Sequence, residues 1–349
     1  MNQKKVLVGM SGGVDSSVAA QLLINSNLGT TGVTLRLYEG EKCGSLNDVR
    51  DAAEVCEKLG IEHLVLDLKN QFENAVIDKF IAEYQLGNTP NPCIECNKHI
   101  KFGEMLKFAK SEGFDYIATG HYAKIQKQGD RFVVVKPKDK SKDQSYVLYS
   151  LNQEQLGSTV MPLGDLTKAE VREIAEAKGL ITAHKSDSQD ICFVPDGDYT
   201  DFISKWLGVT FPEGDYVDVN GKVIGRHKGM IRYTIGQRKG LGMGFGKHMY
   251  VLDKSPLENK VILGDEDGLF KKSVVVKDVN FMAMESLTSP MDCLGKLRYR
   301  HNEQPCRITP IDENTLLAEF TEPQRAPTPG QAAVFYDGDT VICGGVISR

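Results

Sequence analysis

The strongest constraint in this 349-residue chain is its opening. A short apolar run, Lys5 to Met10, passes directly into Ser11-Gly12-Gly13-Val14-Asp15-Ser16-Ser17 and then an apolar-periodic stretch from Val18 to Leu23. This reads as a buried strand, a tight loop and a helix. Two glycines let the backbone turn sharply and approach an anion, and the helix start presents unpaired N–H groups and the positive end of its dipole. Serine hydroxyls add donors, and Asp15 is placed to hold Mg²⁺ between phosphates. The string lacks the Gly-Lys-Ser/Thr of a Walker loop and the Gly-x-Gly-x-x-Gly of a dinucleotide fingerprint.

The following segments alternate in the same way. Gly32 to Leu37, Ile61 to Leu68 and Asp115 to Thr119 read as strands, with Asp48 to Leu59 (stopped by Gly60) and Phe72 to Leu86 as helices. Such alternation implies a doubly wound parallel sheet covered on both faces. After about residue 150 the chain reads as small and mainly helical, with a capping box at Thr167-Lys168-Ala169-Glu170 and a stop at Gly179. From about Phe211 short β-rich runs take over, with a hairpin signal at Asn220-Gly221, and the C-terminal part reads as a β-barrel.

Eight cysteines (Cys43, Cys56, Cys93, Cys96, Cys192, Cys293, Cys306, Cys343) in so long a chain are not a secreted disulfide framework. With no long apolar run and no signal-peptide core, the expectation is a cytoplasmic protein with no membrane partner. The net charge of −5 hides one asymmetry. Val219 to Leu252 contains no Asp or Glu but holds Lys222, Arg226, Lys228, Arg232, Arg238, Lys239 and Lys247. A solvated basic face is the simpler reading of that charge, and phosphate contacts are the other.

Cys93-Ile94-Glu95-Cys96 has no second pair of Cys or His to complete a zinc site, so no metal centre is expected. Pro90 and Pro92 predict an extended loop, with a helix starting at Asn97. That would put Cys96 at a helix N-terminus, which favours thiolate. Cys192, taken alone in Ser186-Asp187-Ser188-Gln189-Asp190-Ile191-Cys192-Phe193, reads as a structural cysteine.

Taken together, the strings resemble one family. They are Gly9-Met10-Ser11-Gly12-Gly13-Val14-Asp15-Ser16, Cys96-Asn97-Lys98-His99-Ile100-Lys101-Phe102, Ala118-Thr119-Gly120-His121-Tyr122 and Lys142-Asp143-Gln144-Ser145-Tyr146. Ile191-Cys192-Phe193, Tyr233 to Gly242, Arg298-Tyr299-Arg300 and Pro329-Gly330-Gln331 continue the match. The loop resembles that of the pyrophosphatase-loop ATPases, and the whole chain resembles the bacterial tRNA-specific 2-thiouridylases, which place sulfur on the wobble uridine.

The resemblance implies an adenine nucleotide α-hydrolase-like catalytic domain over 1–156. It also implies a small central tRNA-binding domain carrying Cys192 over 157–212 and a C-terminal β-barrel over 213–349. ATP would be bound by Gly9, Met10, Ser11, Gly12, Gly13, Val14, Asp15, Ser16, Leu35 and Gly120, with Mg²⁺. Cys192 would carry a persulfide from a cysteine desulfurase or sulfur-relay protein, and Cys96 would end in a disulfide with it. Asn91, Pro92 and Cys93 would meet the target base. His121, Lys142, Asp143, Gln144, Arg298, Tyr299 and Gln331 would meet the tRNA, and Arg232, Arg238, Lys239 and Tyr233 would suit phosphate contacts and stacking. Some relatives carry an aspartate where this chain has Cys93, which leaves Cys93 either a spare thiol or a competitor of Cys96 for Cys192. A rival reading is another pyrophosphatase-loop ligase; a second is a tRNA-binding protein or sulfur carrier with a vestigial ATP site.

Overall fold

Val6, Leu7 and Val8 are fully buried because β1 (Lys5–Gly9) is the central strand of a parallel sheet covered on both faces. The computed structural model describes residues 3–39, 44–183, 185, 191–194, 197–244 and 246–349; Cys43 and the run Ser186 to Asp190 lie outside them. On one side of β1 run β2 (Gly29–Arg36) and β3 (His63–Asp67), and on the other β4 (Tyr116–Ala118). The chain then leaves as a hairpin, β5 (Lys124–Gln128) and β6 (Arg131–Val135), and returns through β7 (Thr159–Val160) beside β4. The order β3-β2-β1-β4-β7 reverses between β1 and β4. At such a point the loops leaving the strands diverge and open a crevice.

Helix α1 (Val14–Asn25) follows β1, and α2 (Leu46–Leu59) starts at a Ser45–Asp48 capping box and ends at Gly60 with φ +68°. A helix from Lys69 to Gln85 has a π-helical turn, Glu73–Ile77, between α3 (Lys69–Phe72) and α4 (Asp78–Gln85). The next helix comprises α5 (Pro92–Glu95), a π-helical stretch Cys96–Glu104 and α6 (Met105–Ser111). After α7 (Gln153–Gly157), α8 (Lys168–Ala177) opens with the predicted Thr167–Glu170 capping box. It buries Val171 and Ala175 in one cluster with Val18 and Ala19 of α1. Helix α9 (Tyr199–Leu207) buries Phe202 and Ile203 against Phe72, Phe80 and Phe193.

The β-rich half contains two sheets. β8 (Gly214–Val217) and β9 (Val223–His227) form the predicted hairpin, turning at Gly221 with φ +80°. With β10 (Tyr250–Ser255) and β11 (Lys260–Gly264) they make a four-stranded sheet. The second is built of β12 (Phe270–Phe281), β13 (Met291–Lys296), β14 (Gln304–Asp312), β15 (Thr315–Arg325), β16 (Ala332–Asp337) and β17 (Thr340–Ile347). The order β12-β15-β14-β13-β16-β17 closes where β17 pairs back with β12, so the expected C-terminal barrel is a closed six-stranded one. Closure leaves it no free edge. Among the described residues no helix is long and apolar enough to cross a membrane.

The barrel and the parallel-sheet domain share a core. Phe102, Ile117 and Tyr146 lie in one buried cluster with Met282, Ala332, Val334 and Val341 of the barrel. Polar groups at this seam are paired: Tyr146 Oη donates to the Ala332 carbonyl at 2.8 Å, and Arg131 donates to the carbonyls of Phe281 and Met282. Gly344 makes the fit, because a Cβ there would lie 2.6 Å from the Tyr149 ring and 3.0 Å from the Ala333 carbonyl oxygen. Gly344→Ala is therefore expected to destabilise the protein by about 1–3 kcal/mol through overpacking. A urea-unfolding midpoint equal to that of wild type would show that the seam does not contribute to stability.

Candidate active site

The loop after β1 has the geometry of an anion cradle. Gly12 has φ +67°, and a Cβ there would lie 2.9 Å from the Asp48 carbonyl oxygen, so only glycine is accommodated. Gly13 is the N-cap of α1 without a side-chain cap, so the first-turn amides are left for a ligand. Ser16 Oγ donates to the Gly13 carbonyl at 3.1 Å and accepts from the Ser11 amide at 3.2 Å, which draws the loop tight. Ser17 is fully buried and donates to the same Gly13 carbonyl, so it shapes the loop from behind. Met10 is held to β2 by its amide on the Val33 carbonyl, and Thr34 Oγ1 donates to the Met10 carbonyl. Leu35, one residue on, is half-buried between two cores.

Gly120 lies on the other side of the switch point. A Cβ there would stand 2.9 Å from the backbone of both Asp15 and Ser16, so the loop after β4 touches the first turn of α1 only because position 120 has no side chain. Asp15 sits where a metal carboxylate was expected, but its charge is already met. Lys168 Nζ donates to both carboxylate oxygens at 2.8 and 2.9 Å, and Tyr122 Oη donates to one at 2.7 Å. As arranged, Asp15 does not fit the part of a Mg²⁺ ligand. Lys168 and Tyr122 are site residues that the sequence reading missed. Lys168 was visible there only as the first residue after the Thr167 cap, and nothing local says that α8 aims it at the loop.

The cysteines form the second element. Asn91 caps the helix by accepting from the Cys93 amide at 3.1 Å, and Pro92 takes the first helical position. The helix thus starts five residues earlier than expected, Cys93 is the cysteine in its first turn, and Cys96 lies a turn further in. Cys96 is buried beside Ile100 and Phe193, and burial pushes its thiol up to about 12, with Lys101 acting in the opposite direction. The expected activation of Cys96 by a helix terminus is absent because the terminus is elsewhere and desolvation wins. Cys93 is exposed, yet surrounding protein raises its thiol too, again against Lys101. Cys192, half-buried, packs against the core that holds Cys96 and lies within electrostatic reach of both.

Lys101 is on the same π-helical stretch as Cys96 and lies within electrostatic reach of it. Gln155 supports this irregular stretch by donating to the Lys98 and Phe102 carbonyls. His121 accompanies the group. It is buried, bonded at Nδ1 to Thr119 Oγ1 (2.8 Å), and held well below its ordinary pKa by burial and then by Lys101, so it is neutral at pH 7.

The remaining predicted residues divide. Tyr299 is 40% exposed, and its phenol is raised by burial first and then by Asp143 and Cys93, which puts it within electrostatic reach of Cys93. Gln144 accepts from the Tyr122 amide, and Asp143 from that of Ser145, so both shape the loop beside His121. Gln331 donates to the Thr89 carbonyl at 2.6 Å, and Thr89 donates to that of Pro329, which docks this barrel turn behind the Asn91–Cys93 helix start. Arg298 Nη2 is taken up by Ile235, Ala326 and Thr328, and its Nε is buried without a hydrogen-bond partner. Lys142 lies half-buried in the short turn before Asp143. Tyr233, expected to stack, is buried edge-on against Tyr216 and His227 in the core of the four-stranded sheet, so its ring face is not presented.

A phosphate-cradling loop at the switch point of a parallel sheet, with a thiol cluster beside it, defines a nucleotide-binding α/β protein with β-rich accessory units. Family models match in three consecutive stretches: a tRNA methyl transferase HUP domain over residues 4–196, a tRNA methyl transferase PRC-barrel domain over 200–265 and an aminomethyltransferase beta-barrel domain over 271–347. The tRNA-specific 2-thiouridylase MnmA of Clostridioides difficile (strain 630) is 48% identical over 355 residues, covering 99% of this chain and 98% of the relative. That of Clostridium kluyveri is 48% identical over 352 residues, covering 99% of each. The chain belongs to the tRNA-specific 2-thiouridylase family. Among solved structures, the U34-tRNA thiolase NcsA from Methanococcus maripaludis with its 4Fe-4S cluster matches 58% of this chain and 66% of its own, at 24% identity and TM-score 0.36. A 4-thiouridine synthetase–RNA complex with bound ATP matches 59% and 50%, at 20% identity and TM-score 0.35.

The thiol environments set an order of reactivity. At pH 7.5 iodoacetamide is expected to modify Cys93 first and Cys96 roughly a thousandfold more slowly than an ordinary exposed cysteine, because almost none of Cys96 is thiolate. Lys101→Met is expected to slow Cys96 further. Peptide mapping over time reads both, and early modification of Cys96 would contradict this description of its surroundings.

Proposed function

We propose that this protein uses ATP to thiolate the wobble uridine of tRNAs for lysine, glutamate and glutamine at C2. The observation that carries the proposal is the gathering of Cys93, Cys96 and Cys192 beside Lys101 and His121, on the side of the sheet where the phosphate loop opens. In this reading Gly12, Gly13 and the first-turn amides of α1 hold the ATP phosphates, and Lys168 offsets the charge they bring next to Asp15. The uridine O2 attacks the α-phosphorus and pyrophosphate leaves. The terminal sulfur of a Cys192 persulfide, loaded by a cysteine desulfurase or relay protein, then attacks C2 and AMP leaves with the oxygen. Cys96, giving up its proton, attacks Cys192 Sγ. The sulfur–sulfur bond to the base breaks, its electron pair goes to the thiocarbonyl, and Cys96 and Cys192 are left as a disulfide. An external dithiol reopens it. Tyr299, Asn91 and the exposed Cys93 surround the place where the base would enter.

A second surface supports an RNA substrate. Arg226, Lys228 and Arg232 line a cavity of about 550 Å³ between the four-stranded sheet and the start of α9, together with Thr200 and Gly240. Arg226 is paired with Asp215 and Arg232 donates to Thr200 Oγ1, so the cations are held in place. A phosphodiester suits such a cavity without any base-specific contact.

The decisive assay supplies ATP, Mg²⁺, a desulfurase with cysteine and unmodified tRNA, and reads 2-thiouridine by nucleoside mass spectrometry. Cys192→Ser and Cys96→Ser are each expected to lose at least about a hundredfold in rate, while Cys93→Ser stays within about tenfold of wild type. Undiminished product from Cys192→Ser would refute the persulfide role. In tRNA binding, Lys228→Ala is expected to lower the slope of log K against log salt by about one, as for one lost phosphate contact. An unchanged slope would remove the cavity from the RNA surface.

A further inference from the structure

Two cysteines that the proposed reaction leaves unused face each other in the barrel. Cys293 of β13 and Cys306 of β14 are direct partners in the antiparallel register, and their sulfurs are 3.6 Å apart. Opposed residues of an antiparallel pair have Cα separations inside the range that a disulfide spans. The sulfurs need to close by only about 1.5 Å to bond. On the same strand face, a Cβ at Gly295 would lie 2.9 Å from Cys306 Sγ, so this sulfur is accommodated beside Cys293 because position 295 has no side chain. The two thiols differ in access, Cys293 being half-buried and Cys306 only 5% exposed.

We propose that Cys293 and Cys306 are a redox site, a dithiol that a small-molecule disulfide converts to a cross-strand disulfide. The reachable Cys293 thiolate attacks one sulfur of the small disulfide. That sulfur–sulfur bond breaks, and one small thiolate leaves. The resolving Cys306 thiolate then attacks Cys293 Sγ, the protein disulfide forms and the second small thiolate leaves. The two thiol protons end on the two small thiols, and the two electrons go to the oxidant. The Cys306 thiol, burial, and the carboxylates of Asp292 and Asp337 raise the Cys293 thiol, so its attack waits on loss of the proton. The bond would tie the base of the hairpin between β13 and β14, whose connecting loop carries Arg298, Tyr299 and Arg300. It is independent of the proposed chemistry at Cys96 and Cys192.

The test treats the folded full-length protein with oxidised dithiothreitol or diamide, blocks remaining thiols with N-ethylmaleimide and digests with trypsin. The expected product is a linked pair of peptides, 278–296 with 301–307, about 2 Da lighter than the sum of the two dithiol peptides and separated by reductant. Cys306→Ser, treated with a linear small disulfide, is expected to keep the reagent as a mixed disulfide on Cys293, which shows which thiol is attacked first. Full maleimide labelling of both cysteines in wild type, or linkage of Cys293 to Cys343 instead, would overturn the proposal. Wild type alone decides between these outcomes, so no variant that fails to fold can obscure the result.

Discussion

The nucleotide site depends on the pairing of Asp15 with Lys168. Asp15 stands in the first turn of α1, where the helix dipole welcomes a negative charge but where, in the proposed function, phosphates would also arrive. Lys168 is nearly buried, and a buried ammonium is tolerated only with a partner. Each charge therefore accounts for the other, and the contact joins the start of α8 to the loop after β1. Tyr122 adds the loop after β4 to the same carboxylate. Three loops that converge at the switch point are thus held by one acid, and Gly120 lets two of them touch. Because the pair leaves Asp15 neutralised before any ligand binds, an incoming phosphate meets a cradle of amides rather than a repelling carboxylate.

The same economy governs the thiol site, which is built from both halves of the chain. Pro329, Gly330 and Gln331 hold the Asn88–Thr89 segment, and a Cβ at Gly330 would lie 2.9 Å from that of Asn88. That segment leads into the Asn91 cap, which sets where the helix bearing Cys93 and Cys96 begins. Tyr299 arrives from the barrel against Tyr146, with Lys296 over both rings. The barrel is therefore part of the active-site wall, which explains why its seam with the parallel sheet is so thoroughly packed and hydrogen-bonded.

What the sequence revealed follows from how local each signal is. The cap at Thr167, the stop at Gly60 and the turn at Asn220-Gly221 are written in neighbouring residues, and each is found where the pattern put it; the loop after β1 is shorter than the Ser11 to Ser17 string, because α1 already starts at Val14. The start of the cysteine helix was misread although its signal was local: Pro92 marks a first helical turn as readily as an extended loop, and Asn91 before it decides for the turn. Tyr233 lies among Arg232, Arg238 and Lys239 in sequence, but the chain leaves the short helical turn Met230–Arg232 with the Tyr233 ring packed inward on Tyr216 and His227 while those charges stay exposed. Lys168, Lys101 and the pairing of β6 with β17, where Val135 stands opposite Thr340, depend on contacts between distant segments, which no window of sequence displays.

The up-shifted Cys96 is consistent with a resolving role on physical grounds. A thiolate held permanently in the open would exchange with any disulfide in solution, and would compete with the base for the sulfur on Cys192. Burial keeps Cys96 as a thiol, and Lys101, on the same π-helical stretch, is the charge within reach that can stabilise the anion when it forms. An anion that forms only when its sulfur partner has arrived loses little reactivity, because nucleophilicity rises with thiol pKa once the proton is gone. Cys93, in the first helical turn, is also raised by surrounding protein and also feels Lys101, but unlike Cys96 it is exposed. The pair of environments therefore separates two cysteines three residues apart into a buried, protected thiol and an accessible one.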